Sequence, residues 1–169
     1  AQLEGGMDIA LVSDAGTPAI SDPGFMLSRE CRRAGIDVVC LPGATAFVPA
    51  IVSSGLPCDR FVFEGFLPPK KGRLTRLRML AADARTCIIY ESPKRLPATL
   101  RQLAEVFGPE RQAAVCREIS KLHETVHKGT LDELDRFFQQ NNPRGEIVIV
   151  IEGSDGHRAA DSDKVSVPE

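Results

Sequence analysis

Apolar positions along this chain fall into short runs that alternate with stretches of helical spacing. Residues 8–12, 36–41, 61–66, 86–90 and 146–151 read as strands, and each of the first four is followed by a helix-like segment. Asp22-Pro23 offers an N-cap and a first-turn proline for a helix that runs to about residue 34 and is closed by Gly35. Pro42-Gly43-Ala44-Thr45 leads into a second helix ending near Gly55, a basic loop precedes a third over 72–82, and Ser92-Pro93 caps a fourth ending near Gly108. Residues 112–118 and 124–128 can pair as strands, and Thr130-Leu131-Asp132-Glu133 carries the capping-box pattern of a short helix. This alternation predicts an α/β architecture with a largely parallel sheet flanked by helices. The turn-rich stretch 55–60 predicts a boundary between a first domain over 1–60 and a second over 61–153. Residues 154–169 are polar, small and charged without periodicity, which predicts a flexible tail.

Length and charge narrow the picture further. A chain of 169 residues holds one medium domain or two small ones. Its longest apolar stretches, such as 147–151, fall far short of the roughly 20 residues that a membrane span needs. No targeting signal can be read. Gly5 and Gly6 would stop a helix just before the first strand, so the sequence reads as starting inside a domain. Cys31, Cys40, Cys58, Cys87 and Cys116 are odd in number and widely spaced within apolar segments, which predicts packed, reduced thiols in a cytosolic protein. The net charge of -2 excludes a wholly basic nucleic-acid coat and leaves room for a local basic patch.

Candidate chemistry begins with the twelve-residue segment from Ser13 to Gly24, which joins a predicted strand to a predicted helix. Small molecules bind outside the carboxyl ends of strands in open α/β sheets, and long ordered loops in compact domains are usually functional. The segment is neither a dinucleotide Gly-x-Gly-x-x-Gly nor a phosphate loop ending in Gly-Lys-Ser/Thr, so nucleotide phosphates are not implied.

Six segments then occur in a telling order: Ser-Asp-Ala-Gly-Thr-Pro-Ala-Ile-Ser-Asp-Pro-Gly from Ser13, Leu41-Pro42-Gly43-Ala44-Thr45-Ala46, Phe63-Glu64-Gly65-Phe66-Leu67-Pro68, Tyr90-Glu91-Ser92-Pro93-Lys94-Arg95, Arg117-Glu118-Ile119 and Arg144-Gly145-Glu146. Over about residues 3–152 the chain thereby resembles the ribosomal RNA small subunit methyltransferase I family of the tetrapyrrole-methylase superfamily. The resemblance implies a two-domain tetrapyrrole-methylase-like fold with S-adenosylmethionine held between the domains, and ribose 2′-O-methylation of a cytidine in 16S ribosomal RNA. By position in the motifs it implies cofactor contacts from Asp14, Ala15, Gly16, Thr17, Pro18 and Ile20, from Thr45 and Ala46, and from Tyr90, Glu91 and Ala114. It further implies the 30S subunit as a partner, a homodimer, a cytoplasmic location, no metal and no membrane. The family also has a first strand and a Gly-Thr-Pro-Ile-Gly-Asn-Leu loop that this sequence does not contain, so its first domain is expected to be incomplete.

Methyl transfer from a sulfonium needs alignment more than nucleophilic machinery, with a base to take the hydroxyl proton. Glu64, Glu91, Glu118 and Glu146, at strand ends or in the matched motifs, are the candidate bases, each with the competing reading of an ion pair or loop cap. Lys70, Lys71, Arg73, Arg76 and Arg78, with no acidic residue over 65–82, form the candidate RNA-binding cluster, against the alternative of a solvated helix face. His123-Glu124-Thr125-Val126-His127 matches the zinc-peptidase pattern His-Glu-x-x-His, but the β-branched pair and the break at Lys128-Gly129 predict a strand, in which Glu124 points away from both imidazoles. Two alternatives remain: methylation of a small tetrapyrrole, or a non-catalytic RNA-binding module.

Overall fold

A computed structural model describes residues 2–154, and the predicted tail beyond Ser154 lies outside the described residues. The described chain forms two compact units, one ending at Ala46 and one beginning at Phe47.

In the first unit a 3₁₀ turn (Leu3–Gly5) and helix α1 (Phe25–Arg33) are the regular elements. Segments 8–12 and 36–41, expected as strands, have no regular structure and join no ladder among the described residues. A strand exists only through its neighbours' hydrogen bonds, and apolar runs encode the wish to be buried rather than the partner. Their apolar side chains are correspondingly open, with Val12 and Val39 about four-fifths exposed, at 83% and 80%. Helix α1 starts two residues later than Asp22-Pro23 predicts, because Ala19 and Ser21 take positive φ and fold residues 17–23 into a turn that ends on Gly24.

The second unit is a five-stranded sheet of order β1-β2-β5-β3-β4. Its strands are β1 (Phe61–Phe66), β2 (Thr86–Glu91), β3 (Gln112–Arg117), β4 (Thr125–Thr130) and β5 (Ile147–Ile151). Helix α2 (Phe47–Ser54) lies on one face; α3 (Arg73–Ala81), α4 (Leu96–Phe107) and α5 (Leu131–Gln140) lie on the other. Alternation along the strands divides the core accordingly. Ile149, Leu100, Leu103, Leu131 and Phe138 pack under α3 to α5, whereas Ile88, Ala114, Cys116, Val148 and Val150 pack with Ala50 and Ile51 of α2.

The expectation of a largely parallel sheet is corrected here. Only β1 with β2 is parallel; β5 runs antiparallel to both β2 and β3, and β4 antiparallel to β3. Strands buried on both faces read as continuous apolar runs whichever way they point, so direction is not written in them. The cysteine expectation divides: Cys31, Cys87 and Cys116 are buried, but Cys40 and Cys58 are exposed. Burial pushes the Cys87 thiol up to about 12 and that of Cys116 to about 11, which keeps both protonated and unreactive near neutral pH.

The predicted capping box forms. Thr130 Oγ1 accepts from Glu133 N–H at 3.2 Å while Glu133 Oε2 accepts from Thr130 N–H at 2.9 Å. Replacing Thr130 by alanine is expected to cost about 1 kcal/mol of stability, measured as a lower urea midpoint at unchanged slope; an unchanged midpoint would show that β4 alone sets where α5 begins.

Candidate functional site

The loop after residue 12 is built on unusual backbone. Gly16, Ala19, Ser21 and Gly24 all take positive φ, at 74°, 70°, 59° and 143°, and two of the four are not glycine. Such strain persists only where surroundings impose it. Ser13 Oγ donates back to the carbonyls of Ala15 and Gly16, at 3.2 and 3.1 Å. Thr17 Oγ1 donates to the Ala44 carbonyl at 3.1 Å, and a Cβ on Gly16 would meet that same oxygen at 3.4 Å. Two segments expected to touch the cofactor, Asp14 to Ile20 and Thr45-Ala46, are therefore held side by side through Thr17 and Ala44, although 27 residues separate those two. Small residues and a close backbone approach suit a ligand that meets peptide groups rather than long side chains.

In the second unit Tyr90 and Ala114 lie on the α2 face, on β2 and β3. Tyr90 stands edge-on to Phe63 and Phe66, with ring centroids 5.0 and 5.6 Å away. Glu91, expected beside them, points to the opposite face by strand alternation. Its carboxylate is 1% exposed and accepts from Ser92 N–H (2.8 Å), Arg95 Nε (2.9 Å), Arg95 Nη2 (3.2 Å) and the Thr99 hydroxyl (2.7 Å). Arg73 Nη2 approaches to 3.6 Å. With this many donors converging, Glu91 ties β2 to α3 and α4 and has no lone pair left for a substrate proton.

The other candidate bases differ in what they have free. Glu64 is the extra residue at the irregularity where β1 shifts register against β2, beside Gly65 at φ 68°, and both its oxygens accept from Arg76 at 2.6 Å. Glu118 Oε1 accepts from Glu146 N–H (2.8 Å) and Lys121 Nζ (3.0 Å), while Glu118 N–H donates to the Glu146 carbonyl (3.0 Å). Those donors, the backbone one foremost, hold the Glu118 carboxyl below the usual carboxylate range. Lys121 also reaches Glu146 Oε2 at 3.0 Å, and Glu146 is 69% exposed. Among the described residues Glu118 Oε2 and Glu146 Oε1 accept no hydrogen bond.

Internal pairing also reshapes the basic cluster. Arg73 is buried, donating to Gln102 Oε1 (2.8 Å), Thr99 Oγ1 (2.7 Å) and the Pro68 carbonyl (3.3 Å), and Arg76 is committed to Glu64. Lys70, Lys71 and Arg78 are exposed and make no ion pair among the described residues. A run of positive charge cannot show which members face inward.

Sequence reading assigns no role to Arg117 or Arg144, although both stand in the matched motifs. Arg117 turns out to be a clamp: Nε donates to Thr125 Oγ1 (3.1 Å), Nη1 to the Arg144 carbonyl (3.3 Å) and Nη2 to the His123 carbonyl (2.9 Å). A strand expected over 124–128 forms as β4 over 125–130, with His127 facing α5, His123 outside the strand, and Glu124 accepting from Ser120 N–H at 2.6 Å. Among the described residues no group of three or more His, Cys, Asp or Glu is placed to hold a metal ion, and no helix is long and apolar enough to cross a membrane.

The chain is 51% identical over 155 residues to the ribosomal RNA small subunit methyltransferase I of a Synechocystis species, covering 91% of this chain and 56% of that protein. It is 48% identical to the protein of that name from Pseudomonas aeruginosa (90% and 55% covered) and 46% identical to the one from Escherichia coli O157:H7 (96% and 57%). The chain thus spans little more than half the length of these relatives. Among solved structures it is similar to a cobalt precorrin-4 methyltransferase of cobalamin biosynthesis, with TM-score 0.62 and 17% identity over 81% of this chain and 61% of that one. It is also similar to a uroporphyrin-III C-methyltransferase from Thermus thermophilus complexed with S-adenosylhomocysteine, with TM-score 0.57 and 19% identity over 81% and 62%. The profile of the tetrapyrrole (corrin/porphyrin) methylases matches residues 1–135, and by that match, a mixed α/β fold shared with solved methyltransferases and the ordered motifs, this chain belongs to that family.

Proposed function

We propose that the chain serves S-adenosylmethionine-dependent methylation of small-subunit ribosomal RNA, at the ribose 2′-hydroxyl of a cytidine in 16S RNA. The observation that carries this reading is the identity of 46–51% to ribosomal RNA small subunit methyltransferases I over nine-tenths or more of the chain. Structures of macrocycle methyltransferases share the fold at 17–19% identity, and fold alone does not choose a substrate.

When bound, S-adenosylmethionine supplies an electrophilic methyl on a sulfonium. The residues proposed to hold it are those of the strained loop, Asp14 to Ile20 without Ala19, together with Thr45, Ala46, Tyr90 and Ala114. The locking of Thr17 onto Ala44 supports this, since it fixes two of those segments before any ligand arrives. Glu91 would contribute by anchoring β2. Glu118 or Glu146, each with a free oxygen, would take the hydroxyl proton. Lys70, Lys71 and Arg78 would meet RNA phosphates, with the 30S subunit as partner in the cytoplasm and a second copy completing a homodimer.

The test is methyl transfer from labelled S-adenosylmethionine to small ribosomal subunits lacking the modification, with the chain by itself and extended to the length of its relatives. Label on a single ribose is the expected result; transfer to a porphyrin or corrin precursor instead would replace the reading. The double charge reversal Lys70→Glu, Lys71→Glu is expected to weaken rRNA binding about tenfold or more at low salt and to flatten its salt dependence, leaving S-adenosylmethionine affinity unchanged in a parallel titration. An unaltered salt slope would remove these lysines from the RNA surface.

A further inference from the structure

On the sheet face covered by α3 to α5, opposite Tyr90 and Ala114, a cavity of about 300 Å³ opens between β3, β4 and the connection from α5 to β5. Its chemistry comes from Arg117, His127, Phe137, Asn141, Asn142 and Arg144, and no carboxylate lines it. Arg117 is fixed by acceptors that are all neutral, and the neighbouring Glu118 carboxylate, which feels its charge, lies outside the cavity lining. Arg144 makes no ion pair among the described residues. Two guanidinium groups with N–H donors to spare therefore face a space that holds no counter-charge.

Flat surfaces stand beside them. The His127 ring lies on Phe137 at 4.7 Å, tilted by 34°, and meets Phe138 edge-on at 5.3 Å. Burial, and after it the Arg117 charge, hold the His127 imidazole below its ordinary range, so it is a neutral aromatic plane at neutral pH. Phe137 is 41% exposed although its neighbour Phe138 is buried in the core. Asn141 Nδ2 donates to the Phe137 carbonyl at 2.9 Å, which fixes the amide and leaves its oxygen to accept from a ligand.

Strand register connects this cavity to the exposed lysines. Phe66 pairs with Tyr90, Glu91 with Ile147, and both Ile147 and Thr125 with Arg117. The Lys70-Lys71 loop, Lys94, Arg117 and Arg144 thus follow one end of the sheet from β1 toward β4, a distance of roughly 19 Å at ordinary strand spacing, with Lys121 on the same end held by Glu118 and Glu146. A single RNA strand could follow that rim for a few nucleotides.

We propose that the cavity is a subsite for one nucleotide of an RNA strand, with the base against His127 and Phe137 and the phosphate on Arg117 and Arg144. It deepens the ribosomal RNA reading and rests on it for the identity of the strand.

The test is a titration of the full chain with cytidine 5′-monophosphate, followed through the imidazole NMR signals of His127 with exposed His123 as internal control. The expected result is a saturable shift of His127 alone, weakened about tenfold by Arg144→Ala and again by Phe137→Leu. Inorganic phosphate and an oligoglutamate peptide at matched concentration should leave His127 in place. The proposal is overturned if the nucleotide does not move His127, if phosphate alone gives the same shift, or if the acidic peptide competes equally. Failure of the chain to bind small ribosomal subunits while the nucleotide still shifts His127 would sink the ribosomal RNA reading and leave the subsite standing; the reverse pattern would remove the subsite only.

Discussion

Glu91→Ala is expected to lower the stability of the second unit by about 3–5 kcal/mol, the cost of stranding the other half of a buried ion pair. Arg73, whose side chain is 10% exposed, would lose the nearby carboxylate, and the Thr99 hydroxyl would lose its acceptor. The remaining partners of Arg73, Gln102 Oε1, Thr99 Oγ1 and the Pro68 carbonyl, are neutral. A domain stable by about 5–15 kcal/mol would be left close to unfolding. Urea denaturation followed by circular dichroism reads this directly. Glu91→Gln, which keeps the shape and an acceptor for Thr99, should lose less. If the alanine variant unfolds within about 1 kcal/mol of the parent, water reaches the cluster and Glu91 is not the anchor of β2.

The second large effect is expected at a residue with no side chain. Gly153, just after β5, lies against the turn before β2, where an added Cβ would collide with the carbonyl group of Ala84 and come within 2.9 Å of the Arg85 carbonyl carbon. These are backbone atoms, held because Ser154 N–H donates to the Asp83 carbonyl at 2.9 Å and Glu152 N–H to that of Gln112 at 2.9 Å. No rotamer change relieves such a contact, so Gly153→Ala should cost about 3 kcal/mol by forcing the strand end away. Gly108→Ala is the control: that residue has φ 97° and open space where a Cβ would go, so only backbone strain of about 1–3 kcal/mol is paid there. A Gly153→Ala variant melting with the parent would show that the turn at Ala84 moves freely.

Much of the second unit is legible in the sequence because its signals are local. The apolar runs at 61–66 and 86–90, the capping box at Thr130 and the helical spacing up to Phe107 each specify an element without reference to the rest. Sheet direction was not legible: Ile147 to Ile151 is buried on both sides, and such a strand looks the same whichever way it runs. Residues 8–12 and 36–41 carry a strand's apolarity but find no ladder among the described residues, since pairing is a property of two segments. In the loop after residue 12 the sequence singles out a segment whose backbone proves unusual, as at Gly16 and Ser21. It was illegible where charge meets charge. Arg73 with Glu91, and Arg76 with Glu64, look like surface chemistry in a list of residues, and only packing shows that each arginine is held by its carboxylate. Arg117 and Arg144 were present in the matched motifs, but their joint role depends on the close approach of β3 to the segment before β5, which no spacing reveals.

The position of β5 bears on how the protein is made. It is the last of the described strands, yet it lies between β2 and β3 and supplies the hydrogen bonds that join the β1–β2 pair to the β3–β4 pair. During synthesis from the amino terminus those two ladders must wait as separate pieces, each with an apolar edge open to misassociation, until residue 151 has left the ribosome. The sheet therefore closes in one late event, by insertion of a strand into a gap already bounded on both sides.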